Sequence, residues 1–283
     1  MKPAAFAYAK ARSLDHALAL LAQDEGARIL AGGQSLVPAL NMRLDAPSLL
    51  VDINGISGLD GIARKNGAIE IGALVRHVEA ERSPIIAEHA PLIARAMPHI
   101  GHPAIRNRGT IGGSIALADP ATELPACLLA LDGEVDIAGP AGRRTVKTDD
   151  FFKDLFETAI GPGDILTAIR IPVHQAGTRF GFAEFCRRHG DYALVGLAAS
   201  ARGDGPNLRD VRLAFFGVGA TPLRARSAEA AMEGHCLNDE CIGSAVSALA
   251  RDLDPPGDIQ LSSAAKKHLA GVLLQRVAHQ LTE

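Results

Sequence analysis

Two glycine pairs in this chain are each followed closely by a serine: Ala31-Gly32-Gly33-Gln34-Ser35-Leu36 and Thr110-Ile111-Gly112-Gly113-Ser114. Consecutive glycines let successive backbone N–H groups converge on one point, and without Cβ atoms an anion can come close. A serine hydroxyl just beyond offers one more donor, and a following helix N-terminus adds a favourable dipole. Two such loops can clamp a pyrophosphate from both sides, so the expected ligand is a dinucleotide. The nucleotide templates with stricter spacing both fail. Neither loop has the G-x-G-x-x-G spacing of the doubly wound dinucleotide fold, and no Gly-Lys-Ser/Thr closes a P-loop.

Other reactive side chains form no constellation. No Ser/His/Asp, Cys/His or paired-carboxylate arrangement emerges, as expected if a bound cofactor carries the chemistry. The cysteines (Cys127, Cys186, Cys236 and Cys241) are dispersed with no C-x-x-C pair, which reads as free thiols with no metal centre or iron–sulfur cluster in this chain. His99 and His102 are separated by a glycine and flanked by Pro98 and Pro103, which reads as a loop pair. Arg106 and Arg108 flank the second loop, where they can add charge near a diphosphate or pin neighbouring loops through carboxylates. The run Arg187-Arg188-His189 precedes Asp191-Tyr192.

The elements that position the two loops are legible from periodicity. Ser13 is an N-cap for a helix over 14–21 with apolar residues at 14, 17, 18 and 21. A short strand over 27–30 leads into the first loop, a helix over 36–44 leaves it, and another strand follows at 48–53. Alternation marks 67–74, and 78–97 reads as helix with a break at Pro84. Residues 110–114 read as a loop, followed by a helix over 123–131. Strands at 134–138, 145–147 and 165–171 follow. After residue 175 three strands are expected at 180–187, 193–201 and 211–218, then helices at 227–232, 240–253 and 262–281. The chain of 283 residues, 47% apolar and 22% charged, with a net charge of −3, fits a soluble two-domain protein. That balance argues against nucleic-acid binding, and no segment reaches the roughly 20 apolar residues of a membrane helix. The N-terminus lacks a secretory apolar core, which gives a cytoplasmic expectation.

The longer strings around the loops resemble a known family. Ala31-Gly32-Gly33-Gln34-Ser35-Leu36-Val37-Pro38 with Asn41-Met42-Arg43-Leu44 and Pro47 is similar to the first FAD motif of the flavoprotein subunits of molybdenum hydroxylases. Ile105 to Ser114, continuing through Ala118-Asp119-Pro120 to Glu123-Leu124-Pro125-Ala126, is similar to the second, and Gly190 to Gly196 to a third stretch. The family includes the carbon monoxide dehydrogenase medium subunit and the flavin domain of xanthine dehydrogenase.

The resemblance implies an α+β fold: a two-part FAD-binding domain of the vanillyl-alcohol oxidase type over 1–175 (subdomains about 1–55 and 56–175), then a C-terminal domain over 176–283. The latter is expected as a three-stranded antiparallel sheet with helices on one side. It implies FAD at Ala31, Gly32, Gly33, Gln34, Ser35 and Leu36 and at Thr110, Ile111, Gly112, Gly113 and Ser114, chiefly around the diphosphate. Glu123 then contacts the adenosine ribose or is an exposed first-turn acid. Leu166 packs near the adenine or is plain core. Tyr192 shields a flavin face or is a strand tyrosine in the core. The implied activity is electron transfer: a large molybdopterin-binding subunit oxidises substrate, a small subunit with [2Fe-2S] clusters relays electrons, and the FAD passes them to a quinone, NAD or oxygen. The implied assembly is a dimer of heterotrimers. A self-contained flavin oxidase and an assembly module without flavin are the competing readings.

Overall fold

A computed structural model describes residues 2–204 and 207–282. The N-terminal sheet is parallel and small. Strand β1 (Ala7–Lys10) and strand β2 (Arg28–Leu30) flank β3 (Leu49–Asp52), with Ala7 opposite Leu49 and Arg28 opposite Leu50. Helix α1 (Leu14–Gln23) crosses between β1 and β2, and the Ser13 hydroxyl accepts from the His16 amide at its start. Helix α2 (Leu36–Asn41) crosses from β2 to β3. It is shorter than the pattern suggests, because Arg43 takes a left-handed φ of 59° and turns the chain. Ala17, Val51 and Ile53 lie in the apolar layer between helix and sheet.

A five-stranded antiparallel sheet follows, in the order β4 (Ile62–Lys65), β5 (Ala68–Gly72), β10 (Ile165–Pro172), β6 (Glu134–Gly139), β7 (Gly142–Lys147). Between β5 and β6 lie short helices. These are α3 (His77–Glu81), α4 (Pro84–His89), α5 (Pro91–Ala96), a 3-10 turn at Met97–His99, α6 (Pro103–Arg106), α7 (Ile111–Leu117) and α8 (Glu123–Ala130). The helical stretch expected at 78–97 is broken at Pro91 as well as Pro84, since each proline lacks the amide a continuing helix needs. Strand β6 (Glu134–Gly139) pairs with β7 (Gly142–Lys147), then come α9 (Thr148–Phe151), the hairpin β8 (Phe152–Asp154) and β9 (Glu157–Thr158), and the central β10 (Ile165–Pro172).

The C-terminal sheet is antiparallel: β11 (Thr178–Phe185), β12 (Val195–Asp204), β13 (Asn207–Phe216) and β14 (Leu223–Arg224). The expected three strands gain a two-residue fourth at the edge, where the chain folds back after Gly217 (φ 75°). Helices α10 (Arg226–Met232), α11 (Asp239–Asp252) and α12 (Ser263–Gln280) cover one face. Side chains alternate: Val195, Leu197, Ala199 and Ala201 join the core under these helices. Ala198, Phe180, Phe182 and Phe216 turn the other way and join the core that contains α5 and α8. Ser200, on that second face, donates to the buried carbonyl of Ala130 at 2.8 Å. The sheet is thus sandwiched between its own helices and the preceding part of the chain.

Candidate functional site

Strand β2 delivers the first glycine loop to the rim of a cleft of about 440 Å³ lined by Tyr8, Gly32, Gly33, Val37, Asp52 and Arg108, among others. Gly33 has φ 72°, a left-handed backbone that a β-carbon would strain. Among the described residues, no acceptor meets the amides of Gly32, Gly33, Gln34 or Ser35. Ser35 stands at the N-cap position of α2 but its hydroxyl makes no cap bond. The first loop therefore keeps its backbone donors free, while the Gln34 side-chain amide donates to the Gly32 carbonyl.

The two glycine loops touch. A β-carbon on Gly32 would lie 2.5 Å from the Arg108 carbonyl oxygen and 2.9 Å from the Gly109 α-carbon, so only glycine lets the first loop pass the entry of the second. A polar chain locks this crossing. Arg76 donates to the Arg108 carbonyl and, at 2.6 Å, to Asn54 Oδ1. Asn54 Nδ2 donates to the Ala31 carbonyl at 2.8 Å and to Asp52 Oδ1 at 2.7 Å. Tyr8 completes it, donating to Asp52 Oδ2 at 2.6 Å from the cleft wall. Burial raises the Asp52 carboxyl, but the bonds from Tyr8 and Asn54 outweigh it and leave the group below its ordinary value. None of Tyr8, Asp52, Asn54 or Arg76 was marked by sequence; the pairing of β1 with β3 is the signal that unites the first three.

The second glycine pair is not a loop. It forms the first turn of α7, with the Thr110 hydroxyl accepting from the Gly113 amide at 3.1 Å. Ile111 donates to the Val75 carbonyl, Gly112 to that of Ala73 and Ser114 to that of Thr110. The expectation of converging free amides is therefore corrected here: the backbone donors of residues 111–114 are engaged within the protein. Gly112 is needed for packing, since its β-carbon would meet the Ala73 β-carbon at 2.5 Å. Gly113 differs. Its β-carbon would meet only the Thr110 hydroxyl, at 2.8 Å, and otherwise enters open space. Ser114 Oγ lies 3.1 Å from His77 Nε2. Burial, with Arg106 and Arg76 nearby, brings the His77 pKa down to about 4 against an opposing Thr110 backbone contact, so His77 is neutral at neutral pH.

Tyr192 precedes β12 and is 59% exposed, which excludes the core reading. Its phenol interacts with the Ser35 hydroxyl, so the C-terminal part of the chain reaches the first loop. Burial first, then the Asp119 charge, raises its pKa, and Glu123 adds to this. Glu123 opens α8 but is buried, not an exposed first-turn acid. Desolvation pushes its carboxyl up to about 8 against the opposing bond from its own amide, with Glu184 raising it further. Leu166, on β10, is 5% exposed within the main core, opposite Ile137. Arg106 is a loop pin: it is buried, pairs with Glu81 at 3.0 Å and donates to the carbonyls of Ile100 and Gly101. Arg108 is exposed on the cleft wall.

A family model described as the FAD binding domain in molybdopterin dehydrogenase matches residues 4–174, and one described as the CO dehydrogenase flavoprotein C-terminal domain matches residues 180–281. The chain belongs to the FAD-binding subunit family of molybdopterin dehydrogenases. It is a FAD-binding medium subunit and an oxidoreductase component. Among relatives, it is 40% identical over 278 residues to the 6-hydroxypseudooxynicotine dehydrogenase complex subunit alpha of Paenarthrobacter nicotinovorans, covering 98% of this chain and 94% of that one. It is 34% identical to the carbon monoxide dehydrogenase medium chain of Hydrogenophaga pseudoflava, covering 98% and 96%. The fold superposes on a chain of carbon monoxide dehydrogenase from Hydrogenophaga pseudoflava with a TM-score of 0.97 and 36% identity, covering 100% of this chain and 99% of that one. Quinoline 2-oxidoreductase from Pseudomonas putida 86 gives a TM-score of 0.95 at 35% identity, covering 100% and 99%. These matches bear out the α+β family fold and the FAD expectation.

Proposed function

We propose that this chain is the electron-transferring subunit of a molybdenum hydroxylase, taking electrons from a [2Fe-2S] partner subunit and passing them to an external acceptor. FAD, when bound, supplies the redox chemistry by accepting electrons singly and releasing them singly or in pairs. The chain's residues bind and orient it. The observation that carries the reading is the crossing of Gly32 over Arg108–Gly109, beside four unengaged amides and an open face at Gly113. Amides and hydroxyls suit a diphosphate dianion. In this reading the first loop, residues 31–36, supplies the donors. Thr110 to Ser114 supply a flat wall for close approach, and their helix turn is held rigid by its internal bonds.

Tyr192 covers one flavin face, and its contact with Ser35 supports that role. Glu123, buried at the start of α8, is the proposed contact to the adenosine ribose, as the resemblance implies. A carboxyl that stays protonated to about pH 8 donates one hydrogen bond there while its other oxygen accepts. Leu166 packs toward the adenine through the resemblance alone. The division at residue 175 separates the cofactor-binding part from the C-terminal part.

The partners are a large molybdopterin-binding subunit and a small [2Fe-2S] subunit, assembled as a dimer of heterotrimers in the cytoplasm. The printed names of the relatives, a complex subunit alpha and a medium chain, support a multi-subunit assembly. Among the described residues no helix is long and apolar enough to cross a membrane. Native mass spectrometry of the complex from its source cell tests the reading. The expected result is one FAD per copy of this chain with two further subunit types. A chain that runs alone and reduces its flavin with a small alcohol or amine would instead indicate a self-contained oxidase.

A further inference from the structure

One buried histidine stands against the second glycine segment. His77 opens α3 and is 3% exposed. Its amide donates to the Gly109 carbonyl at 3.0 Å, and Arg76 bridges antiparallel to Thr110, so backbone pairing fixes the ring beside α7. Nε2 lies 3.1 Å from Ser114 Oγ, and among the described residues that hydroxyl has no other hydrogen-bond partner. Nδ1 is sealed from solvent with no hydrogen-bond partner among the described residues. It faces Gly109, where a β-carbon would come within 2.9 Å of it. A sealed polar atom without a bond carries its whole desolvation penalty, which an apolar side chain of the same size would avoid. What the imidazole offers against that penalty is at Nε2.

Burial, with the guanidinium groups of Arg106 and Arg76 nearby, keeps this ring neutral at pH 7 against the Thr110 backbone contact. A neutral imidazole has one N–H, and its place decides what Ser114 does. With the proton on Nδ1, a buried N–H is orphaned and the serine hydrogen is drawn to Nε2. With the proton on Nε2, only a lone pair is left unpaired, and Nε2 donates to Ser114 Oγ. As on the backbone, an orphaned buried N–H is the rarer defect of the two. The serine hydrogen then turns elsewhere, and the Thr110 carbonyl one turn back already accepts from the Ser114 amide at 3.1 Å. Ser114 is half-buried and follows Gly113, whose open face has only the Thr110 hydroxyl near it. We propose that His77 is a positioning residue for the cofactor: Nε2–H donates to Ser114 Oγ and so commits the serine hydrogen to an anion at the open face beside Gly113. The inference rests on the placement of the FAD diphosphate proposed above. It gives a segment whose backbone amides are engaged a donor of fixed direction. A hydroxyl that already accepts from His77 is set to donate, the sense a dianion requires.

The full chain tests this in two independent ways. Nitrogen-15 NMR of histidine-labelled wild type at pH 7, with the His77 signal identified by its loss in H77Q, reads the tautomer. A proton on Nε2 is expected, and a proton on Nδ1 overturns the proposal. FAD titrations followed by flavin fluorescence then compare H77L, H77Q, S114A and the double variant H77L/S114A. S114A is expected to weaken binding about tenfold or more, the loss of one charge-assisted hydrogen bond. H77L is expected to weaken it about threefold or more when Ser114 is present, and to add nothing in the S114A background. H77Q, whose side-chain amide reaches as far as Nε2 and donates, is expected to restore most of that loss. Full affinity in S114A, or the same loss from H77L in both backgrounds, overturns the proposal and leaves His77 a packing residue. A wild-type chain that takes up no FAD overturns the cofactor reading and the role of His77 with it, and is told apart because no variant is needed to see it.

Discussion

Gly113→Ala separates a glycine kept for folding from one kept for a ligand. Gly113 lies inside α7 with a φ that L-residues accept, and a new methyl would meet only the Thr110 hydroxyl at 2.8 Å. Alanine in a helix gains up to about 1 kcal/mol over glycine. Disturbing the Thr110 cap costs about 0.5–2 kcal/mol. The two terms nearly cancel, so the unfolding midpoint of the chain without cofactor should stay within a few degrees of wild type. The same methyl projects into the open face against which the diphosphate is proposed to lie. Overpacking there costs about 1–3 kcal/mol. At 1.4 kcal/mol per tenfold, FAD affinity should fall about 5- to 150-fold. Thermal unfolding without FAD and a flavin fluorescence titration measure the two quantities on one sample. Undiminished affinity with normal stability would refute the placement of the diphosphate at Gly113.

Gly32→Ala should behave in the opposite sense: its methyl meets rigid backbone at 2.5 Å, so stability falls by about 1–3 kcal/mol and affinity falls with it, visible as a lowered melting temperature even without FAD. Arg106→Ala leaves Glu81 and two carbonyls unpaired. The expected loss is about 2–3 kcal/mol, below the value for full burial because the Glu81 side chain is 28% exposed, and urea unfolding measures it. His77 gives a pH signature. Its folded pKa of about 4 lies below the unfolded 6.5, so the unfolded chain binds the proton first. The stability this group permits is full above pH 6.5 and is lost as pH falls toward 4, by up to about 3 kcal/mol. Unfolding free energies at pH 7 and 4.5 should differ less in His77→Gln than in wild type. Tyr192→Ala should leave FAD bound while shifting the flavin absorption, and an unchanged spectrum would remove Tyr192 from the ring face.

Much of the scaffold was legible because its elements carry local signals. Ser13 caps α1 as read, and the nearly continuous apolar runs of β10 and of the end of β13 mark strands buried on both faces. Strands β1 and β4 escaped because they are four residues long and mostly half-exposed or exposed, so they show no alternation. The second glycine pair was misread as a loop because glycine signals a break locally. Here the Thr110 cap and the Val75 and Ala73 carbonyls impose a helical turn from outside the segment. The site followed the same rule. Both loops stood out as strings, whereas Tyr8, Asp52, Asn54 and Arg76 join only through contacts up to 44 residues apart. Glu184 looked like any polar residue in a strand, since nothing local reveals its pairing at 3.3 Å with His99, 85 positions earlier.

The sandwiching of the C-terminal sheet has a consequence for motion. Phe180, Phe182, Ala198 and Phe216 share one apolar core with α5 and α8, and Ser200 is bonded to Ala130 inside it. A hinge between the C-terminal sheet and α5 and α8 would tear that core open, so these elements move as one rigid body. That body carries Ala193, next to Tyr192, in its core, whereas Ala31, at the start of the first loop, packs on the separate apolar layer of the N-terminal sheet. A dinucleotide that passes between Ser35 and Tyr192 therefore does so by moving the first loop and the tyrosine side chain, while the core beneath Tyr192 stays closed.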